Sequence, residues 1–197
     1  MNYHRRPYYR DVVYPLTVVL DLDETLVHTI SPDALTPQLS TSFQTFPIGS
    51  DYVALKRPYL DEFIKEVFEI SFPVIVWTAA ERNYAEEVCR NIFKNRPPAK
   101  IYARENCERK KDHLKKPVQN ILTDFGNFVD SDRMVALDDR VSAYYKADRE
   151  FLVPIQAWIG DPSDDCLLKA ISFFKMLKSK DDIPAEIAQI SWKEFWL

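Results

Sequence analysis

Glycine is scarce in this chain, with three in 197 residues against thirteen prolines, and that balance argues against a floppy low-complexity protein. Cysteine is equally scarce. Cys89, Cys107 and Cys166 are odd in number and far apart, with no pair at zinc-ligand spacing, so a reducing compartment is the simplest reading. Long apolar runs are missing too. The opening stretch MNYHRRPYYRDVVYPL lacks the apolar core of a signal peptide and no window approaches a membrane span, which predicts an intracellular domain, nuclear or cytoplasmic. There is no excess of basic charge: the net charge is −4 and the pI about 5.5, so direct nucleic-acid binding is not expected. What is present is 46% hydrophobic and 13% aromatic residues, enough for one sizeable core. The arginines and tyrosines of residues 3–10 read as a solvated end that packs a few aromatics on the domain, with a grip on an acidic partner as the alternative.

Short apolar runs alternate with helical patterns. Thr17–Leu20, Val74–Trp77, Ile101–Ala103 and Met134–Leu137 are short and mostly rich in β-branched residues, which predicts buried strands. Leu60, Phe63, Ile64, Val67 and Phe68 fall at helical spacing behind Pro58, and so do Tyr84, Val88 and Ile92. A late helix carries Leu167, Leu168, Ile171, Phe174 and Leu177, with Ser163 and Asp164 as candidate caps. The alternation predicts an α/β fold, a parallel sheet covered by helices on both faces. Residues 28–56 break the rhythm with Ser, Thr and Pro, and read as an insertion of loops or a small hairpin rather than a large cap domain. The whole chain, 1–197, reads as one domain with a core at about 15–183 and extensions at 1–14 and 184–197.

Against this background the stretch VVLDLDETLV, residues 18–27, is anomalous, because it puts three acids in four positions behind a buried strand. In a parallel α/β sheet ligands bind at the carboxyl ends of the strands, and Asp21 is the first residue to emerge there. Asp21 and Asp23 flank apolar Leu22, so an extended backbone points both carboxylates the same way. Two close carboxylates repel, and a hard cation such as Mg²⁺ relieves the repulsion. An EF-hand loop also begins D-x-D, but its required Gly and Glu would fall at Leu26 and Pro32. A helix N-cap is the other ordinary use of such acids, and the proline-rich segment after Ile30 offers little helix to cap.

The string Asp21-Leu22-Asp23-Glu24-Thr25 matches the D-x-D-x-T signature of haloacid-dehalogenase-like (HAD) phosphatases, and LDLDETLVHT resembles their FCP/SCP branch, the RNA polymerase II C-terminal-domain and NLI-interacting-factor-like phosphatases. The resemblance continues through LKRPYLDEF, VIVWTAAERNYAEEV, ARENC, LKKPV, MVALDDR and DDCLLKAISFFKMLKSKDDI, in family order from residue 18 to about 183. It implies a HAD-like Rossmannoid fold and a Mg²⁺-dependent protein serine/threonine phosphatase that works through an aspartyl phosphate. The polymerase tail or another phosphoprotein would be the substrate. Asp21 matches the nucleophile, a carboxylate ionised at neutral pH. Asp23 matches the general acid, a role that wants a raised pKa, and its carbonyl is implied to reach the metal. Thr25 completes the signature and is implied on the substrate side.

Thr78 closes the second strand, where a hydroxyl meets phosphate oxygens, and Lys116 of KKPV matches the lysine that neutralises the phosphate, with Lys115 as the alternative register. Asp138 and Asp139 match the family's metal motif, Asp139 as direct ligand and Asp138 beside Lys116 or a metal-bound water. Arg104 matches the arginine of the RE-x-C stretch near the phosphate or peptide groove. Cys107 lacks the C-x5-R loop of cysteine phosphatases and reads as structural, like Cys89.

Two regions depart from the resemblance. In the polymerase-tail branch the insertion helps build an aromatic pocket, and here it carries Phe43, Phe46 and Tyr52 without visibly matching. The stretch from Cys107 to Lys116 is more basic than the usual glycine-containing loop and would suit an acidic phosphopeptide. A non-catalytic binding receptor of the mitochondrial-import type and a small-molecule HAD phosphatase are the rival readings. The first has no lost acid to point to, and the second usually needs a larger cap.

Overall fold

The four apolar runs form strands, as their β-branched content predicts, in a computed structural model that describes residues 15–196. The arginines and tyrosines of residues 3–10 lie outside the described residues. In chain order the elements are β1 (Leu16–Leu20), β2 (Val27–Ile30), α1 (Pro37–Ser42), β3 (Thr45–Ile48), β4 (Tyr52–Lys56), α2 (Leu60–Ile70), β5 (Ser71–Trp77), α3 (Arg82–Phe93), β6 (Lys100–Tyr102), β7 (Glu108–Lys110), β8 (His113–Lys115), α4 (Gln119–Phe125), β9 (Met134–Asp138), β10 (Leu152–Pro154), α5 (Cys166–Leu177), α6 (Ile183–Ala188) and α7 (Trp192–Phe195).

A five-stranded sheet runs β10-β9-β1-β5-β6 with every pairing parallel. From β1 the chain builds outward through β5 and β6, then crosses to the other side for β9 and β10. The order therefore reverses beside β1, and a crevice opens at the carboxyl ends of β1 and β9. All five residues of β1 are buried, because helices cover both faces. Val18 and Leu20 join α2, α3 and α5 in the larger core, whereas Val19 points to the opposite face with Ile75, Trp77, Ala136 and Ile121 of α4.

Several boundaries differ from the sequence reading. β5 begins at Ser71 rather than Val74 and tolerates Pro73 because its register with β1 slips between Leu16 and Val18. β10 escaped notice because it is three residues long, and its terminal proline suits an edge strand. The short α4 was also missed, since it buries only Ile121. Asp165 rather than Ser163 or Asp164 is the N-cap residue of α5, although the Asp164 carboxylate accepts from the Cys166 amide at 3.2 Å. The insertion is more ordered than loops or a single hairpin. It forms a three-stranded antiparallel sheet, β2-β4-β3, and its Ser, Thr and Pro residues start α1: Pro37 occupies the first turn and the Thr36 hydroxyl accepts from Leu39. Residues 184–196, read as an extension, pack inward, with Ile187 and Trp196 in the larger core and the Trp196 indole donating to the Pro154 carbonyl at 2.7 Å.

Candidate active site

β1 delivers Asp21 to the crevice, its amide anchored on the Leu137 carbonyl of β9 at 3.0 Å. The chain then turns sharply. Leu26 and Val27 both donate to the Leu22 carbonyl, and Glu24 takes the left-handed conformation (φ 58°) that lets the turn close. β9 delivers Asp138 and Asp139 from the neighbouring strand end. The short β7–β8 hairpin runs straight into Lys116.

Lys116, not Lys115, reaches the acids. Its amine is buried between Asp21 Oδ1 at 2.6 Å and Asp138 Oδ2 at 2.5 Å, while Lys115 bonds the Ser142 carbonyl at the surface. Burial alone would lower the Lys116 pKa, yet Asp138 and Asp21 push it above the usual ammonium value, so the amine stays charged. Asp21 is raised well above the usual carboxylate range, by burial first and by Asp138 second. Burial and Asp138 also push Asp139 up to about 6. The Lys116 ammonium thus pairs with two carboxylates, those of Asp21 and Asp138, while Asp139 adds a further negative charge beside them.

Asp21, Asp138 and Asp139 offer oxygens that all lie within 4.8 Å of one another. An all-oxygen donor set with surplus negative charge is what Mg²⁺ selects, so these residues fit the ion the resemblance implies. The Asp23 carboxylate lies outside that group. It turns to the Tyr84 hydroxyl, which donates to Oδ1, and to Thr78, whose Oγ1 lies 3.4 Å from Oδ2. Burial raises the Asp23 pKa and the Tyr84 bond opposes the rise.

Two expected ligand contacts are placed differently. Thr25 is wholly buried; its hydroxyl donates to Asp139 Oδ1 at 3.3 Å and accepts from the Asp139 amide at 3.2 Å, so it orients an acid from behind rather than facing a substrate. Arg104 lies on the surface, bonded to the Ala79 carbonyl at 2.9 Å and to Glu81 at 3.0 Å, beside the loop that carries Thr78. Of the insertion's aromatics, Phe43 packs on Trp158 and Phe46 enters the core; Tyr52 alone of the three is exposed, its ring 6.5 Å from that of Tyr84. The half-buried Cys107 thiol packs near the Thr78 carbonyl at 3.7 Å, a supporting position, and burial holds Cys89 at about 12.

Sequence reasoning missed Tyr84 and Arg57. Tyr84 was read only as part of an apolar helix face. The buried Arg57 guanidinium grips Asp164 with two 2.7 Å bonds and donates to the carbonyls of Thr25 at 3.0 Å, Gln156 at 3.0 Å and Glu24 at 3.4 Å. It therefore fixes the turn that carries Asp23 and Thr25.

Residues 16–184 match the family model described as NLI interacting factor-like phosphatase. The chain belongs to that family. Among curated members, nuclear envelope morphology protein 1 of Schizosaccharomyces pombe is 31% identical over 85% of this chain and 34% of its own length. Human carboxy-terminal domain RNA polymerase II polypeptide A small phosphatase 2 is 28% identical over 89% of this chain and 62% of its own length. Both are longer than the region they share with it. The solved structure of Fcp1, titled an essential RNA polymerase II CTD phosphatase, superposes with a TM-score of 0.55 over 87% of this chain and 52% of that one. At 18% identity the likeness extends to the fold. The matched region, 16–184, contains all five strands of the parallel sheet and the acids at the ends of β1 and β9.

Proposed function

We infer that this chain is a metal-dependent phosphoprotein phosphatase for phosphoserine and phosphothreonine, acting through an aspartyl phosphate on Asp21. The observation that carries the reading is the Lys116 ammonium lodged between Asp21 and Asp138 at the sheet's switch point. Family membership and the relatives' names support the same chemistry, and those names make the polymerase tail one candidate substrate in a nuclear or cytoplasmic setting. The insertion's strands, four and five residues long, are too small to enclose a ligand, which favours a macromolecular substrate over a small metabolite.

In this reading Asp21 attacks phosphorus with one carboxylate oxygen while Lys116 holds Oδ1 and orients the group. Asp23, its pKa raised by burial, protonates the departing serine or threonine oxygen and then takes a proton from the water that cleaves the aspartyl phosphate. Thr78 and Lys116 meet the negative oxygens of the transferring group. Asp21, Asp138, Asp139 and the Asp23 carbonyl would hold Mg²⁺, which supplies positive charge against the phosphoryl oxygens when bound. Thr25 keeps Asp139 aimed.

Hydrolysis of p-nitrophenyl phosphate and of a phosphoserine peptide, with Mg²⁺ and with EDTA, tests the reading. Metal-dependent release of phosphate that vanishes in Asp21→Asn is the expected result. An inert wild type, or an Asp21→Asn variant with full activity, would overturn it.

A further inference from the structure

Between Cys107 and Lys116 the chain spends eight residues on a two-stranded excursion whose feet both stand in the site. At one foot Cys107 packs against the Thr78 carbonyl; at the other, β8 ends one residue before Lys116. The excursion carries Arg109, Lys110, Lys111 and Lys115 against Glu108 and Asp112, on a chain whose net charge is −4.

The pairing Glu108↔Lys115, Arg109↔Leu114, Lys110↔His113 sorts these charges. Glu108, Lys110 and Lys115 share one face and gather on Tyr145: its hydroxyl bonds Glu108, and both ammonium groups lie over its ring at 5.2 and 5.9 Å. Arg109 stands on the other face with Leu114, which by strand alternation is also the face that carries Lys116 two residues on. Arg109 and Lys111 are exposed and enter no ion pair among the described residues. Lys111 also occupies the turn with φ 55°, a conformation that favours glycine. A strained turn that keeps lysine retains a charge at the expense of local stability.

We propose that the β7–β8 hairpin is a docking edge for acidic residues that flank the phosphorylated side chain; this rests on the phosphatase reading of the site and specifies its substrate class. Arg109 opposes Leu114 and Lys110 opposes His113, two and three residues before Lys116, so the exposed cations begin about 7 Å along the strand from Lys116. An extended peptide advances at about 3.3 Å per residue, which aligns Arg109, Lys110 and Lys111 with the second to fourth positions from the phosphorylated residue.

The test is fluorescence anisotropy in EDTA, where no turnover is expected, with a phosphoserine peptide bearing Glu at the second to fourth positions on either side and a matched peptide bearing Gln there. The acidic peptide is expected to bind about tenfold tighter, from two or three exposed charge pairs. The advantage shrinks as salt rises from about 50 to about 300 mM. In R109A/K111G the preference is expected to fall below about twofold while the melting temperature holds or rises, because glycine relieves the turn. R109Q/K111N, with the other residue tolerant of that conformation, is expected to do the same. Equal affinities for the two peptides in wild type, or a preference that survives in both variants, would overturn the proposal. Hydrolysis of p-nitrophenyl phosphate, which has no flanking residues, judges the phosphatase reading separately, and the binding result stands whichever way that comes out.

Discussion

At the residue scale the site turns on two side chains that restrain carboxylates. Replacing Lys116 with Met keeps its length and removes its charge, leaving Asp21 and Asp138 buried against each other without a counter-charge. We expect kcat/KM to drop by about 10²–10³, the loss typical of removing one aligned donor from a transition state. The destabilisation should be larger in EDTA than in Mg²⁺, read by thermal melting in the two buffers. Tyr84→Phe makes a different prediction. The Tyr84 hydroxyl lowers the Asp23 pKa, so its loss lets that pKa climb further. In the proposed mechanism Asp23 acts as an acid only when protonated, so activity should fall as pH rises through its pKa, and the basic limb of the kcat profile should move to higher pH in the variant. An unmoved limb with reduced kcat would make Tyr84 merely structural. Asp21, Asp23 and the pair at 138–139 were legible because acids behind apolar runs violate the strand pattern. Tyr84 and Arg57 were not legible, because an aromatic on a helix face and an arginine before a proline violate nothing.

At the element scale, the carboxyl ends of β1, β5 and β9 hold Asp21, Thr78 and Asp138 where three parallel strands stop together. Strand identity was readable from β-branched runs, and so was the side on which the acids would emerge. Order within the insertion was not, since its pairing joins residues far apart, such as Val27 to Lys56. Arg57 follows β4 and ties this insertion to the turn after β1 and to Asp164 before α5. Arg57→Met strands the Asp164 carboxylate and empties three carbonyl contacts; a loss of about 3–5 kcal/mol in urea unfolding is expected for breaking a buried pair. Arg57→Lys should recover little of it, because a point-charge ammonium cannot reproduce the fork that spans Asp164, Thr25 and Gln156.

At the scale of the whole molecule the proposed metal site and the raised Asp139 pKa predict that stability depends on metal and on pH. Asp139 has its folded pKa raised to about 6, above the ordinary carboxylate value, so the folded apo state binds a proton more readily than the unfolded chain. Its contribution is therefore full below the unfolded pKa and is lost as pH rises through about 6. In EDTA the melting temperature should fall between pH 5 and 7 (approximate bounds) more steeply for wild type than for Asp139→Asn. Mg²⁺ should reverse the trend, raising the melting temperature near neutrality and less so below about pH 6, where protons compete for the same oxygens. The fold class was readable at this scale from the alternation of elements, and the resemblance brought the acids of β1 and β9 together, whereas the pairing of Arg57 with Asp164 had no signal in the sequence. The Arg57–Asp164 clasp joins partners 107 positions apart. During synthesis, the turn bearing Asp23 leaves the ribosome long before the carboxylate that anchors its clasp exists. A nascent chain stopped short of Asp164 would carry all four of the site's acids with its guanidinium unmatched, so competence in the proposed reaction should arrive abruptly, and late, in translation.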